Sequence, residues 1–102
     1  MDVKKVNFDE FEALIKGEKP VLVDFYADWC GPCRMLAPVV EEIAAEHPEI
    51  AVCKVNVDEV PALAARFGLS SIPFLGFLKN GELAASSLGY RTKAEIVQKL
   101  GL

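Results

Sequence analysis

The sequence lacks several features that would place it in common structural and functional classes. No apolar run approaches the roughly 20 residues of a membrane-spanning helix. The basic residues near the N-terminus are not followed by an apolar stretch, so no secretory signal is visible and we expect a cytoplasmic protein. Three cysteines are too few for a disulfide scaffold, and their number is odd.

An excess of positive charge is also missing. The chain has 11 Lys and Arg residues against 15 Asp and Glu residues, which gives a net charge of −4. This balance argues against nucleic acid or an anionic membrane as the main partner, because both attract basic surfaces. Because the chain has 102 residues and shows no repeats, linkers or low-complexity tracts, we expect residues 1–102 to form one small domain. We also expect this domain to be a monomer.

Apolar periodicity and turn signals predict nine elements in the order β-α-β-α-β-α-β-β-α. The predicted segments are an edge strand at Val3–Val6, a helix through Phe8 and Ile15, a strand from Val21 to Ala27, a helix from near Pro32 to Glu46, a strand from Ile50 to Val57, a short helix from Val60 to Phe67, strands at Phe74–Leu78 and Glu82–Leu88, and a helix through Ile96 and Leu100. Asn7 and Thr92, each with a Glu three residues on, predict helix caps, and Asp58 is a third candidate cap.

Strands that alternate with helices indicate an α/β fold, in which a mainly parallel sheet carries helices on both faces. The Asn80-Gly81 pair between the last two strand-like runs is a strong hairpin signal. Because a hairpin adds an antiparallel pair, we expect a central sheet that is mixed.

The residues Cys30-Gly31-Pro32-Cys33 lie where a strand-like run gives way to a helix-like run. Cysteines three positions apart at a helix N-terminus are neighbours, within the range that a disulfide needs. The free N–H groups there favour a thiolate at Cys30, and Pro32 suits the first helical turn. Gly31 leaves the front of Cys30 uncovered. This pattern is typical of a disulfide that opens and closes.

Two other interpretations of the cysteine pair are a structural disulfide and half of a zinc site. A zinc site needs two more ligands, and only Cys53 and His47 are available, neither of them at ligand-pair spacing. We therefore expect no bound metal. Cys53 alternates with its strand neighbours and is expected to be a buried, inert thiol. A cysteine hydrolase has little support, because the single histidine falls at a predicted helix end.

The segment from Asp24 to Cys33 closely resembles the active site of the thioredoxin family. Further family traits follow in order along nearly the whole chain, at Lys54, Asn56-Val57-Asp58, Ile72-Pro73, Lys79-Asn80-Gly81-Glu82 and Gly89. The resemblance implies the thioredoxin fold, with its strand order. It also implies catalysis of thiol–disulfide exchange by Cys30 and Cys33.

Asp24 is a carboxylate within an apolar strand. Burial would raise its pKa, although periodicity alone also allows an edge aspartate turned to solvent. The resemblance implies that Asp24 lies beneath Cys33 and relays its proton, and that Lys54 lies near this aspartate. The other interpretation of Lys54 is a solvated strand lysine.

The resemblance also implies a client-binding rim around the cysteines. It predicts a cis peptide bond before Pro73 that faces the cysteines, with exposed backbone on which a client chain pairs as an added strand. The rim residues are Trp29, Ile72, Pro73, Phe74, Gly89 and Tyr90, with Gly31 and Pro32 beside them. Phe74 stands where the family usually has threonine, and Tyr90 where a small residue is common, so both aromatic rings are expected to restrict the client range. Tyr26 stands where many members have tryptophan.

These observations predict a protein-disulfide reductase whose partners are disulfide-containing client proteins. The chain has no nucleotide or flavin motif, so we expect no bound cofactor and a separate thioredoxin reductase as electron donor. A thiol oxidant or isomerase is the second enzymatic interpretation. A binding module that clamps one partner is the non-enzymatic one.

Overall fold

The computed structural model describes residues 3–102, which form five strands and four helices in the predicted order. The elements are β1 (Lys4–Lys5), α1 (Phe8–Ile15), β2 (Val21–Tyr26), α2 (Gly31–Glu46), β3 (Ala51–Asn56), α3 (Pro61–Arg66), β4 (Phe74–Lys79), β5 (Glu82–Leu88) and α4 (Lys93–Leu100). β1 is shorter than the predicted edge strand because Val3 and Val6, on either side of it, turn into the core.

The five strands form one mixed sheet in the order β1-β3-β2-β4-β5. β1 and β2 both run parallel to β3, whereas β4 runs antiparallel to β2 and to β5. The mixed sheet is therefore confirmed, but two of its four strand pairs are antiparallel, so the prediction of a mainly parallel sheet is wrong. The reason is that β4 pairs antiparallel with β2 as well as with β5. β2 lies at the centre of the sheet and leads directly into α2, so residues at the end of β2 are held by neighbours on both sides.

The two faces of the sheet carry separate hydrophobic clusters. Val21, Val23 and Phe25 of β2 pack in one cluster with residues of α1 and α3. Leu22, on the opposite face, packs with residues of α2 and α4. Because successive side chains of a strand point to opposite faces, Asp24 faces the α2 side.

Local capping signals are confirmed at two helices and wrong at a third. Asn7 and Thr92 each form a complete capping box with the glutamate three residues on. Asp58 does not cap α3, whose N-cap is Val60 without a side-chain hydrogen bond. The physical reason is that Pro61, which has a helical φ and no N–H to satisfy, starts the helix too far downstream for Asp58 to reach its first turn.

Candidate active site

The two cysteines lie at the N-terminus of α2. Cys30 is the N-cap residue and Cys33 is the third helical residue, and a disulfide joins them with their Cα atoms 5.2 Å apart. The backbone N–H of Cys33 donates to Cys30 Sγ at 3.2 Å. The helix N-terminus thus points a donor at the Cys30 sulfur, and the same donor would stabilise a thiolate after reduction.

Exposed residues and open space lie next to the buried disulfide. Both cysteines are largely buried, but Trp29 next to them is 70% exposed. A Cβ atom on Gly31 would meet only the guanidinium of Arg34, at 3.9 Å. The space in front of Gly31 is therefore open.

The segment before β4 approaches Cys30 from across the sheet. The carbonyl oxygen of Ile72 lies 3.9 Å from Cys30 Sγ, and Ile72 packs against the small cluster that contains both cysteines. The Ile72–Pro73 peptide bond is cis, as the resemblance implied. The carbonyl of Pro73 accepts a hydrogen bond from the N–H of Gly89 at 2.8 Å, which ties this segment to the end of β5.

Asp24 is a buried carboxylate on the α2 side of β2. It is 3% exposed, and its Oδ1 atom has no hydrogen-bond partner among residues 3–102. Burial raises the pKa of Asp24 to about 7, while the charge of Lys54 acts in the lowering direction. Asp24 and Cys33 both line a cavity of about 320 Å³. At neutral pH this carboxyl is therefore poised to gain or lose a proton next to the second cysteine.

Lys54 lines the same cavity from the neighbouring strand. It is the register partner of Asp24 in the parallel pairing of β2 with β3. Its ammonium lies 5.7 Å from the centroid of the Tyr26 ring. Lys54 is half-buried.

Trp29 is held by a hydrogen bond that the sequence did not predict. Its indole Nε1–H donates to Asp58 Oδ2 at 2.9 Å. Asp58 lies in the loop after β3, where Asn56 Oδ1 accepts from the Asp58 N–H at 2.9 Å. The family resemblance included Asn56-Val57-Asp58, but it did not show that Asp58 contacts Trp29. That contact depends on which loops the fold brings together.

The two additional aromatic residues of the expected rim differ in their surroundings. Phe74 is half-buried, its ring centroid is 6.1 Å from that of Phe25, and it packs against the cluster on the α1 and α3 face. Tyr90 is 44% exposed and follows Gly89, whose φ of +79° is a conformation that glycine adopts without strain.

The remaining cysteine and the histidine lie away from this site. Cys53 is buried as expected, and burial raises the pKa of its thiol to about 12. His47 follows the end of α2 and its Nδ1 lies 2.9 Å from a carboxylate oxygen of Glu49. Within residues 3–102, no cluster of three or more His, Cys, Asp or Glu side chains has the arrangement of a metal site. None of the helices described is long and apolar enough to cross a membrane.

The family model and the similar proteins all carry the same description. A family model described as thioredoxin matches residues 2–101. A thioredoxin of Streptomyces clavuligerus is 45% identical over 97 residues, which are 94% of this chain and 91% of that protein. A thioredoxin of Alicyclobacillus acidocaldarius is 48% identical over 91 residues, or 88% and 87% of the two chains. A chloroplastic M-type thioredoxin of Pisum sativum is 46% identical over 97% of this chain and 59% of its own length.

Proposed function

The chain belongs to the thioredoxin family, and from this membership we propose that it is a protein-disulfide reductase in which Cys30 attacks the client and Cys33 completes the reaction. Thioredoxins are thiol–disulfide oxidoreductases, so the chain catalyses thiol–disulfide exchange. Its partners are, in general, disulfide-containing client proteins and a reductase that supplies electrons. The observation that carries the reductase proposal is the Cys30–Cys33 pair at the start of α2, with a buried carboxylate lining the cavity beside Cys33.

The reaction starts from the reduced dithiol. The Cys30 thiolate attacks one sulfur of the client disulfide, the client S–S bond breaks, and its other sulfur leaves as a thiolate. A mixed disulfide then joins Cys30 to the client. Cys33 loses its proton and attacks the Cys30 sulfur, so the second client sulfur leaves and the Cys30–Cys33 disulfide forms. Two electrons have passed from the protein to the client.

Asp24 is proposed to accept the proton of Cys33 in the second step. A carboxyl with its ordinary pKa would be too weak a base for a thiol, whereas a carboxyl with a pKa of about 7 is a better one. The shared cavity gives proton exchange a route, either directly or through one water molecule. Lys54 is proposed to support Asp24 through its charge.

Clients are proposed to dock on the rim of Trp29, Ile72, Pro73, Phe74, Gly89 and Tyr90. Backbone hydrogen bonds beside Pro73 would hold an extended segment without regard to its sequence, and side chains of the rim would discriminate between clients. Gly31 supports this docking because it carries no side chain over Cys30, and Pro32 because it fixes the first turn of α2. Tyr90 is the better candidate of the two additional aromatics, because part of the Phe74 surface is already covered by the core.

We propose further that residues 1–102 act as one monomeric domain in the cytoplasm, with a thioredoxin reductase as the specific electron donor. The composition supports this setting, because a Cys-x-x-Cys pair with only one further cysteine suits a reducing compartment.

The proposal is tested by following the reduction of insulin disulfides, with NADPH and a thioredoxin reductase as the electron source. We expect turnover that depends on both the reductase and this chain. Cys30→Ser should abolish it, and Cys53→Ser is the matched control because Cys53 lies buried away from the site. Turnover by Cys30→Ser would contradict the assignment of Cys30 as the attacking cysteine. A stoichiometric client complex that survives this substitution, without turnover by the parent, would support a binding module instead.

A further inference from the structure

Lys54 occupies an unusual position for a lysine beside a buried carboxylate. Asp24 and Lys54 are register partners on neighbouring strands, yet within residues 3–102 Lys54 forms no ion pair with Asp24 or any other carboxylate. Its ammonium lies instead 5.7 Å from the centroid of the Tyr26 ring. This distance is within the range of a cation–π interaction.

The other cations near the cavity, Lys5 and Arg34, have partners of their own. Lys5, the register neighbour of Lys54 on β1, pairs with Glu59 at 3.1 Å. The guanidinium of Arg34 donates to the backbone carbonyl of Asp28 at 2.7 Å. The titratable and charged groups that face Asp24 or Tyr26 are Cys33 and Arg34 of α2, Lys54 of β3, Lys5 of β1, and Asp28 and Glu59 of the adjoining loops. Among them, Lys54 is the cation that acts on Asp24. Cys53 of β3 packs on the opposite face of the sheet.

We propose that Tyr26 is a positioning residue, whose ring holds the Lys54 ammonium facing Asp24 without letting it contact the carboxylate. Tyr26 and Lys54 line the same cavity as Asp24 and Cys33, so the ammonium is kept beside the reacting groups. A direct ion pair would make Asp24 a weaker base, and an ammonium released to solvent would leave Asp24 uncharged over more of the neutral range. The value of this arrangement to catalysis rests on the proposed role of Asp24.

Removal of the ring separates this proposal from a purely structural role. Tyr26→Leu keeps an apolar side chain over the cavity but has no π face, so the ammonium should move into solvent. Tyr26→Phe keeps the ring and loses only the hydroxyl. We therefore expect the pKa of Asp24 to rise by about half a pH unit in Tyr26→Leu and to stay unchanged in Tyr26→Phe.

The experiment is a pH titration of the Asp24 side-chain carboxyl by ¹³C NMR on the full chain with the disulfide intact. Five proteins are compared: the parent, Tyr26→Leu, Tyr26→Phe, Lys54→Met, and the Tyr26→Leu, Lys54→Met double variant. In the Lys54→Met background, Tyr26→Leu should have no further effect, because the charge that the ring positions is absent. Turnover is not the readout, so the result does not depend on whether Asp24 relays a proton.

Three outcomes would overturn the proposal. An equal rise of the Asp24 pKa with and without Lys54 would mean that Tyr26 acts by excluding water. A rise in Tyr26→Phe equal to that in Tyr26→Leu would assign the effect to the hydroxyl. An unchanged or lower pKa of Asp24 in Tyr26→Leu would mean that the ring does not hold the ammonium.

If Tyr26→Leu fails to fold, a second measurement tests the proposal: the ring-current shift that the Tyr26 ring causes in the NMR signals of the Lys54 side-chain protons. The proposal requires this shift in the parent and in Tyr26→Phe, and is wrong without it.

Discussion

At the scale of single residues, Cys30 and Cys33 have different surroundings. The sulfur of Cys30 accepts a hydrogen bond from the N-terminus of α2, whereas Cys33 lines the cavity beside Asp24. We expect Cys33→Ser to accumulate mixed disulfides between Cys30 and client proteins, since the thiol next to Cys30 that would resolve them is removed and the Cys53 thiol is buried. Mass spectrometry of the trapped species would identify the linked cysteine, with Cys53→Ser as the control. Trapping through Cys33 in Cys30→Ser, without trapping in Cys33→Ser, would reverse the assignment.

The raised pKa of Asp24 has a consequence for stability. Folding raises this pKa from 3.8 to about 7 and so favours the protonated form. The contribution to stability is fully present below about pH 4 and is lost as the pH rises through about 7. Asp24→Asn avoids the buried charge. Its gain in the free energy of unfolding should therefore be about 2–3 kcal/mol larger at pH 8 than at pH 5.

Denaturant unfolding of both proteins at the two pH values measures this difference. A gain that is the same at pH 5 and pH 8 would contradict a buried carboxyl with a raised pKa. Asp24→Asn should also slow client reduction, because an amide cannot accept the Cys33 proton. The slowing should be largest where release of the client limits the rate.

At the scale of elements, the loop before α2 is tied to the loop after β3 through the hydrogen bond from Trp29 to Asp58. Trp29 is the only tryptophan in the sequence, so the tryptophan fluorescence comes from this residue alone. We expect Asp58→Ala to speed the local rotation of the indole, because its N–H loses the acceptor. Time-resolved fluorescence anisotropy would detect the faster motion.

Asp58→Asn is the matched variant for this prediction. Asparagine keeps a side-chain oxygen at the same place, so we expect Trp29 to remain ordered and client reduction to stay near that of the parent. Faster indole motion in Asp58→Asn as in Asp58→Ala would mean that the negative charge, rather than the hydrogen bond, holds Trp29.

Features that depend on neighbouring residues could be predicted from the sequence, whereas a contact between distant loops could not. Capping boxes at Asn7 and Thr92 and the hairpin at Asn80-Gly81 were predictable because each depends on residues within four positions of one another. The placement of Cys30 as the N-cap of α2 was predictable for the same reason. The bond between Trp29 and Asp58 spans 29 residues, and Asp58 was wrongly assigned to a helix cap. No local pattern distinguishes these two uses of an aspartate.

At the scale of the whole molecule, alternation of strands and helices, together with the Asn80-Gly81 hairpin, predicted a mixed sheet but not its strand order. The order β1-β3-β2-β4-β5 depends on pairings between distant segments, and only the family resemblance supplied it. Periodicity alone likewise did not show whether Asp24 is buried or lies at an edge and faces solvent. The two alternatives give the same pattern along the strand and differ only in what covers it. The central place of β2, with α2 packed on its Asp24 face, decided it.

Several elements together form the surface on which we propose that clients dock, and Tyr90 is the more exposed of the two additional aromatic residues there. An exposed ring can stabilise a fitting client by roughly 1–3 kcal/mol and clash with another. We expect Tyr90→Ala to change the relative reduction rates of two unrelated disulfide proteins by more than a few-fold, without lowering the melting temperature.

Phe74→Thr separates recognition from packing. Because Phe74 is half-buried against Phe25, its replacement should lower the free energy of unfolding by about 1–2 kcal/mol. If the outer edge of its ring also contacts clients, the two reduction rates should change unequally, and the effect should add to that of Tyr90→Ala. Equal changes in the reduction rates of both clients, together with a lower melting temperature, would show that Phe74 acts only in the core.

If Tyr90→Ala also changed the reduction rates of both clients equally, backbone pairing beside Pro73 would remain as the whole basis of client recognition, because such pairing does not depend on the client sequence.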